Sequence, residues 1–132
     1  MTNHPFNIER FYQALGDTTR LRLLNLIGDQ EICVCHFVDI LNQHQPKISR
    51  HLAYLRSAGI VSARRQGTWM HYRIVMPPHI GAAQVLKQTL NWMLADPAMQ
   101  ADRAQLASVC CAPANISALE SAPLPTSIAN QQ

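Results

Sequence analysis

The middle of this 132-residue chain lacks acidic residues, because no Asp or Glu occurs from Ile40 to Ala95. An acid-free segment that is rich in arginine is typical of a nucleic-acid-binding surface, since phosphates are attracted to it. From charge alone, a solvated basic surface is an equally good interpretation. The seven basic residues of this stretch are Lys47, Arg50, Arg56, Arg64, Arg65, Arg73 and Lys87.

The chain also lacks a long apolar run. No run approaches the ~20 residues that cross a bilayer, and the segment MTNHPFNIERFY lacks the basic-then-apolar order of a signal peptide. We therefore expect a cytoplasmic protein with no membrane partner, in a compartment where thiols stay reduced. Its length suits a single domain. Reduced thiols favour a metal or redox role for the cysteines over a structural disulfide.

Apolar spacing predicts four helices in the first half of the chain. The segment NIERFYQAL predicts a first helix that ends at Gly16. Asp17 or Thr18 then caps a second helix with the sequence TTRLRLLNLI. A short third helix is expected over about 34–42. Pro46 suits the first turn of a fourth helix, PKISRHLAYLRSA, because a missing N–H costs nothing there.

In the second half of the chain, the spacing of apolar residues changes from a helical period to alternation. The alternating segments IVSARR and WMHYRIV flank a turn at Gly67 and predict a β-hairpin with arginines at its tip. A long helix over about 80–94 and a further short helix follow. We divide the chain into one domain, 1–100, and a C-terminal extension, 101–132. The extension contains Cys110 and Cys111, and its tail is expected to be disordered.

Two short helices joined by a tight turn, the second one basic and followed by a hairpin, are typical of a winged helix-turn-helix. The fold class expected is thus mainly α with a β-hairpin wing (α+β). Such a helix presents polar side chains to the major groove, and the wing brings arginines to phosphates or the minor groove. For His51, the alternative to a DNA contact is packing within the protein or capping a helix. The residues expected at DNA are Gln45, Lys47, Ser49, Arg50, His51, Arg64, Arg65, Gln66 and Thr68.

Four segments carry a resemblance to a known family. Over about residues 7–78 the chain resembles the ArsR/SmtB metal-sensing repressors. The segments that carry the resemblance are, in order, ALGDTTRLRLLNLI, EICVC, PKISRHLAYLRSAGIV and RRQGTWMHYRI. The resemblance implies that 1–100 is a winged helix-turn-helix domain for DNA binding and dimerisation. It implies a homodimer, joined through its first and fifth helices, on double-stranded operator DNA with two-fold symmetry. An apolar stripe is compatible with that interface and equally with an ordinary core; it comprises Phe11, Tyr12, Leu86, Leu90 and Met93.

Cys33 and Cys35 lie one residue apart at the expected start of the third helix. Side chains two positions apart on an ideal helix point about 200° apart. At a helix N-terminus the backbone is looser, so both thiolates could face one ion, and the helix end favours thiolate over thiol. An ion bound there would distort the third helix, which is expected to pack against the recognition helix and could thus couple binding to DNA release.

The resemblance also implies a ligand. Arsenite sensors of the family have Cys-Val-Cys at this point, commonly with a third cysteine at the position of Val38. We expect Cys110 or Cys111, from the same or the second subunit, to complete a site with Cys33 and Cys35. As(III) or Sb(III) accepts three sulfur ligands, whereas zinc usually takes four ligands and its nitrogen partners are not evident. Cd(II), Pb(II), methylated arsenicals and copper(I) are the alternatives.

Two other function classes compete with a metalloid-responsive repressor. A thiol-redox-responsive regulator would use Cys33 and Cys35, or both cysteine pairs, as a reversible disulfide. A thiol oxidoreductase is disfavoured because the spacing is Cys-x-Cys and no βαβ pattern surrounds it. The sequence also offers no Ser/His/Asp arrangement, phosphate loop or carboxylate pair. We therefore expect no enzyme activity and no small organic substrate.

Overall fold

The computed structural model describes residues 6–110, which form six helices and three short strands. The predicted fold class, mainly helical with a β-hairpin wing, is confirmed. No helix in this part of the chain is long and apolar enough to cross a membrane. In chain order the elements are α1 (Ile8–Leu15), α2 (Thr18–Ile27), β1 (Ile32–Cys33), α3 (Val34–Leu41), α4 (Gln45–Ser57), β2 (Val61–Gln66), β3 (Trp69–Ile74), α5 (Ile80–Leu94) and α6 (Pro97–Cys110).

Side-chain caps explain where the first two helices begin. Asn7 accepts a hydrogen bond from the backbone N–H of Arg10 at 2.9 Å, and Asp17 accepts one from Arg20 at 3.1 Å. Each bond satisfies an N–H group that has no partner within its own helix. Of the two predicted caps of α2, the structure therefore selects Asp17. Gly28 ends that helix with a φ of +56°, a conformation that favours glycine.

The core lies around α2, whose residues 23–27 are all buried. Phe37 of α3 and Leu52 of α4 are fully buried against it. Phe11, Leu86 and Met93 of the apolar stripe also belong to this core. For those three residues the ordinary-core interpretation of the stripe is correct, while Tyr12 is 54 % exposed.

The wing, β2 and β3, provides two strands of a three-stranded antiparallel sheet with the order β1-β3-β2. The sequence predicted β2 and β3 but not β1, because two residues are too few to show an alternating pattern. Ile32 of β1 pairs with Tyr72, and Cys33 pairs with His71. Gly67, with a φ of +62°, allows the tight turn of the hairpin. The sheet thus joins the segment that contains Cys33 to the wing.

Helix α6 packs against α2. Asn25 donates a hydrogen bond to the carbonyl of Met99 at 3.0 Å, and Arg22 forms an ion pair with Asp102 at 2.7 Å. These contacts hold the first half of α6 against the middle of α2. Position 100 falls inside this helix, and the division of the chain at that position stays a prediction.

Candidate thiol site and nucleic-acid interface

Cys33 and Cys35 meet at the start of α3. Cys33 ends β1 and is the N-cap of α3 with an extended backbone, whereas Cys35 lies in the first helical turn. Because only one of the two residues is helical, their side chains do not diverge as they would within a helix. The Cys35 thiol donates a hydrogen bond to the Cys33 sulfur at 3.1 Å, and both side chains are half-buried. The geometry agrees with the expectation that both sulfurs can face one ion.

The two thiols differ in acidity. The hydrogen bond from Cys35 lowers the pKa of Cys33 to about 7, although burial opposes the shift. The same bond raises the pKa of Cys35, and burial and the nearby charges of Cys33 and Asp39 raise it further. The first proton therefore leaves the pair easily, while the second is retained until something replaces it. A thiophilic ion that binds both sulfurs is suited to displace that second proton.

Among the described residues, no third ligand lies beside the two thiols. Within residues 6–110, no three His, Cys, Asp or Glu side chains are grouped so that they could hold a metal ion. Cys111 lies outside the described residues, and Cys110 is described only as the last residue of α6. Met99 of α6 lies beside Asn25, in the C-terminal half of α2. Cys110 follows about 16 Å further along the axis of α6.

The thiols lie toward the C-terminal end of α2. Gln43, just after α3, donates a hydrogen bond to Thr19, in the first turn of α2, at 3.2 Å. Cys33 precedes α3 and follows the C-terminal end of α2 by a short loop. Cys33 therefore lies toward the C-terminal end of α2, and Leu106 of α6 lines a cavity with Gly28 at that same end.

The predicted recognition helix α4 has one buried and one exposed face. Ile48, Leu52 and Leu55 are fully buried, so the opposite face is left to solvent. On that face Gln45, Lys47 and Arg50 are exposed, and Ser49 is half-buried. In the described part of the chain, no ion pair engages Lys47 or Arg50, which leaves both charges available to phosphate.

His51 differs from these residues because it turns toward α2. Its Nδ1 lies 3.2 Å from Arg20 Nη1 and 3.7 Å from Asp17 Oδ2. Burial lowers the pKa of His51, and the charges of Arg20, Lys47 and Arg50 lower it further against the opposing effect of Asp17. The side chain is thus engaged within the subunit as a neutral imidazole, and its contact with DNA stays a prediction.

The wing residues divide between the two faces of the sheet. Directly paired residues of antiparallel strands point to the same side. Arg64 pairs with His71, and His71 also pairs with Cys33, so these three side chains share the face directed away from the core. Gln66 is on that face too, whereas Arg65 is on the core face at the tip, and both are exposed, as is Thr68 in the turn. The thiol site and part of the wing therefore occupy one surface.

Three residues that sequence reasoning missed contribute to these sites. Glu31 accepts hydrogen bonds from the Arg64 guanidinium, at 3.0 Å from Nε, and so holds the wing arginine against the segment before β1. Trp69 is 49 % exposed on the same face as Arg64. Arg20 joins α2 to α4. Only the pairing of β1 with β3 reveals the role of Glu31, and no sequence pattern predicted that strand.

Comparison with known proteins agrees with this arrangement. The model of a family described as bacterial regulatory proteins, arsR family, matches residues 17–63. The arsenic resistance transcriptional regulator ArsR2 of Pseudomonas putida is 43% identical over 108 residues, which are 76% of this chain and 94% of that protein. This chain belongs to the ArsR family. It is therefore a DNA-binding transcriptional regulator and not an enzyme.

Two further relatives define the extent of the likeness. The arsenical resistance operon repressor of Escherichia coli is 47% identical over 74 residues, which are 55% of this chain and 62% of that protein. The chain thus matches less than two thirds of that ArsR relative. HlyU from Vibrio cholerae superposes with a TM-score of 0.55 at 23% identity, over 64% of this chain and 88% of HlyU. This last likeness supports the winged-helix fold alone.

Proposed function

We propose that this ArsR-family protein is a cytoplasmic repressor that binds operator DNA as a homodimer and releases it when As(III) or Sb(III) binds its thiolates. The observation that carries the proposal is the pair of sulfurs 3.1 Å apart at the start of α3. Trivalent arsenic is soft and bonds preferentially to such sulfurs. The names of the Pseudomonas putida and Escherichia coli relatives, which refer to arsenic resistance, also support this ligand.

The inducer site consists of Cys33 and Cys35 with a third sulfur from Cys110 or Cys111. Val38, where a local third cysteine would lie, offers no ligand. This third sulfur comes from the same subunit or from the second subunit of the dimer. The lowered pKa of Cys33 supports this site, since a thiolate is the form that bonds to the ion.

The operator is bound by α4 in the major groove and by the wing beside it. The exposed, unpaired charges of Lys47 and Arg50 support this placement. Phosphate contacts of this kind release condensed counterions, so affinity falls steeply as salt rises. The residues proposed to contact DNA are Gln45, Lys47, Ser49, Arg50, His51, Arg64, Arg65, Gln66 and Thr68.

Two structural connections carry the inducer signal to DNA. Helix α3, whose first turn contains Cys35, packs against α4. Strand β1, which ends at Cys33, pairs with β3 of the wing. An ion that joins the two sulfurs changes the backbone where α3 begins and so displaces both connections. An allosteric coupling of about 1–3 kcal/mol is the usual scale for such a response.

Fluorescence anisotropy tests the proposal. The reduced protein is bound to a labelled duplex selected from a randomised library and is then titrated with arsenite. We expect release of the wild type, and for Cys33→Ser we expect normal DNA affinity without release. Cys110→Ser/Cys111→Ser tests the third sulfur in parallel. Full release of Cys33→Ser by arsenite would contradict the site, and release by cadmium alone would contradict the ligand.

A thiol-redox-responsive regulator is the second candidate, and the closeness of the two sulfurs favours it. An oxidant such as hydrogen peroxide would take two electrons from the thiols, form the Cys33–Cys35 disulfide and be reduced to water. The same anisotropy assay separates the two functions. Release by peroxide that a dithiol reductant reverses, with no response to arsenite, would favour the redox regulator.

A further inference from the structure

The side chain of Arg20 caps the C-terminal end of α1. Its Nε donates a hydrogen bond to the carbonyl of Ala14 at 3.0 Å, and its Nη2 donates one to the carbonyl of Gln13 at 2.8 Å. The last carbonyl groups of a helix have no partner within the helix, and their partial negative charge favours a cation there. One guanidinium from the first turn of α2 therefore fixes the end of α1.

The same guanidinium also contacts the predicted recognition helix. Its central carbon lies 4.2 Å from the ring centroid of Tyr54, so the cation stacks on the aromatic face. Its Nη1 lies 3.2 Å from His51 Nδ1. Because a guanidinium has only donors, Nδ1 is the acceptor and the neutral His51 ring has its proton on Nε2. The Tyr54 hydroxyl in turn donates to the Gln13 side chain at 2.8 Å, which closes the network between α1 and α4.

Helix α1 has an exposed apolar side that bears on how two subunits would be arranged. Ile8 is 63 % exposed and Tyr12 is 54 % exposed, which suits α1 to contact a second copy of the chain. If α1 is part of the dimer interface, its angle to α4 within each subunit sets the distance between the two recognition helices. That distance must match the separation of the two half-sites on DNA.

We propose that Arg20 is a positioning residue that sets the half-site spacing read by the dimer, by locking the recognition helix α4 to helix α1. This inference rests on the proposed dimer and on α4 as the recognition helix. Lysine cannot replace arginine in this role, because a single ammonium group cannot reach two carbonyls, stack on Tyr54 and donate to His51. Arg20 acts through α4 and does not itself contact phosphate.

The test measures affinity against half-site spacing. An operator is selected from a randomised duplex library with the wild-type protein, and its half-sites are then moved apart or together in single base-pair steps. For Arg20→Gln and Arg20→Lys we expect affinity for the best spacing to fall about tenfold, the scale of one charge-assisted hydrogen bond. Affinities for the other spacings change less, so the preference is lost. The salt dependence of binding stays that of the wild type.

Arg22→Gln is the matched control, because Arg22 is an arginine of the same helix that pairs with Asp102 instead of α4. It should keep the spacing preference. Tyr54→Leu, which removes the stacking partner and its hydrogen bond to Gln13 but keeps Arg20, should reduce the preference. This second variant decides the matter if the Arg20 variants fail to fold. An unchanged spacing preference in Arg20→Gln would overturn the inference. A wild-type spacing preference in Arg20→Lys, together with a reduced salt slope in Arg20→Gln, would also overturn it, because Arg20 would then act as a phosphate contact. Wild type that binds no two-half-site duplex would overturn the proposed function as well.

Discussion

The thiol pair shows how one residue changes the chemistry of its neighbour. Cys33 has an extended backbone and Cys35 a helical one, which brings the two sulfurs to 3.1 Å. Because the Cys35 thiol donates to the Cys33 sulfur, the pKa of Cys33 is lowered and the pKa of Cys35 is raised. The nucleophile of the pair is therefore Cys33, and Cys35 is its hydrogen-bond donor.

Alkylation kinetics test this assignment. The rate at which iodoacetamide modifies Cys33 should rise with pH through a midpoint near 7, because a lowered pKa makes the thiolate present at neutral pH. Replacing the donor in Cys35→Ala should move the midpoint upward, toward the ordinary thiol value of about 8.5. Mass spectrometry of the modified peptide gives the rates. An unchanged midpoint in Cys35→Ala would show that the hydrogen bond does not set the acidity.

Arg50 is the residue on which the DNA interface depends most directly. Arg50→Ala should weaken operator binding and reduce the magnitude of the salt slope by about 1, because one phosphate contact and its released counterion are lost. Arg10→Ala is the matched control, since Arg10 is an exposed arginine on α1, a helix with no residue that we propose to contact DNA. Anisotropy titrations at several salt concentrations measure both. Equal effects of the two substitutions would contradict the placement of α4.

At the scale of elements, β1 makes the thiol site part of the wing sheet. The ion pair between Glu31 and Arg64 lies beside that strand and directs a wing arginine toward the sensor side of the sheet. An exposed ion pair of this kind contributes at most about 1 kcal/mol to stability. Its effect on DNA binding is larger in principle, because it removes one cation from the interface.

Glu31→Gln should therefore raise operator affinity. The substitution frees Arg64 and removes a negative charge that repels phosphate, and an increase of about threefold or more is expected. Glu9→Gln, at the exposed start of α1, is the control for loss of one negative charge. Competition binding on the selected operator gives the ratio. A decrease in affinity would show that the ion pair positions the wing rather than restraining it.

Helix α6 depends on the buried side chain of Asn25. Asn25 donates to the Met99 carbonyl and accepts a hydrogen bond from Arg103, so its loss leaves buried polar groups without partners. Asn25→Ala should lower the free energy of unfolding by about 1–3 kcal/mol. Asn91→Ala, at an exposed position of α5, should have little effect. Urea unfolding of both variants provides the measurement. Equal stabilities would contradict this role of Asn25.

Sequence reasoning predicted the elements whose signals are local. The Asp17 cap, the hairpin turn at Gly67 and the apolar face of α4 depend on residues close in the chain, and the structure agrees with each. The pairing of β1 with β3 and the ion pair of Glu31 with Arg64 join segments more than thirty residues apart. No local pattern specifies such pairings, so they could not be predicted.

At the scale of the whole molecule, the apolar side chains left exposed are concentrated on the first and fifth helices. Ile8 and Tyr12 are exposed on α1, and Ile80, Trp92 and Leu94 are exposed on α5. Exposed aromatic and aliphatic side chains of this size usually mark a contact with another protein surface. They support the proposed dimer.

The central claim is that the thiolates of Cys33 and Cys35 hold the inducer. X-ray absorption spectroscopy of the arsenite complex at the arsenic edge tests it most directly, because it counts the sulfur atoms bound to arsenic. We predict three sulfur neighbours in the wild type, and a mixture of sulfur and oxygen in Cys33→Ser and in Cys110→Ser/Cys111→Ser. An all-sulfur shell that persists in Cys33→Ser, or a shell of oxygen alone in the wild type, would contradict the claim.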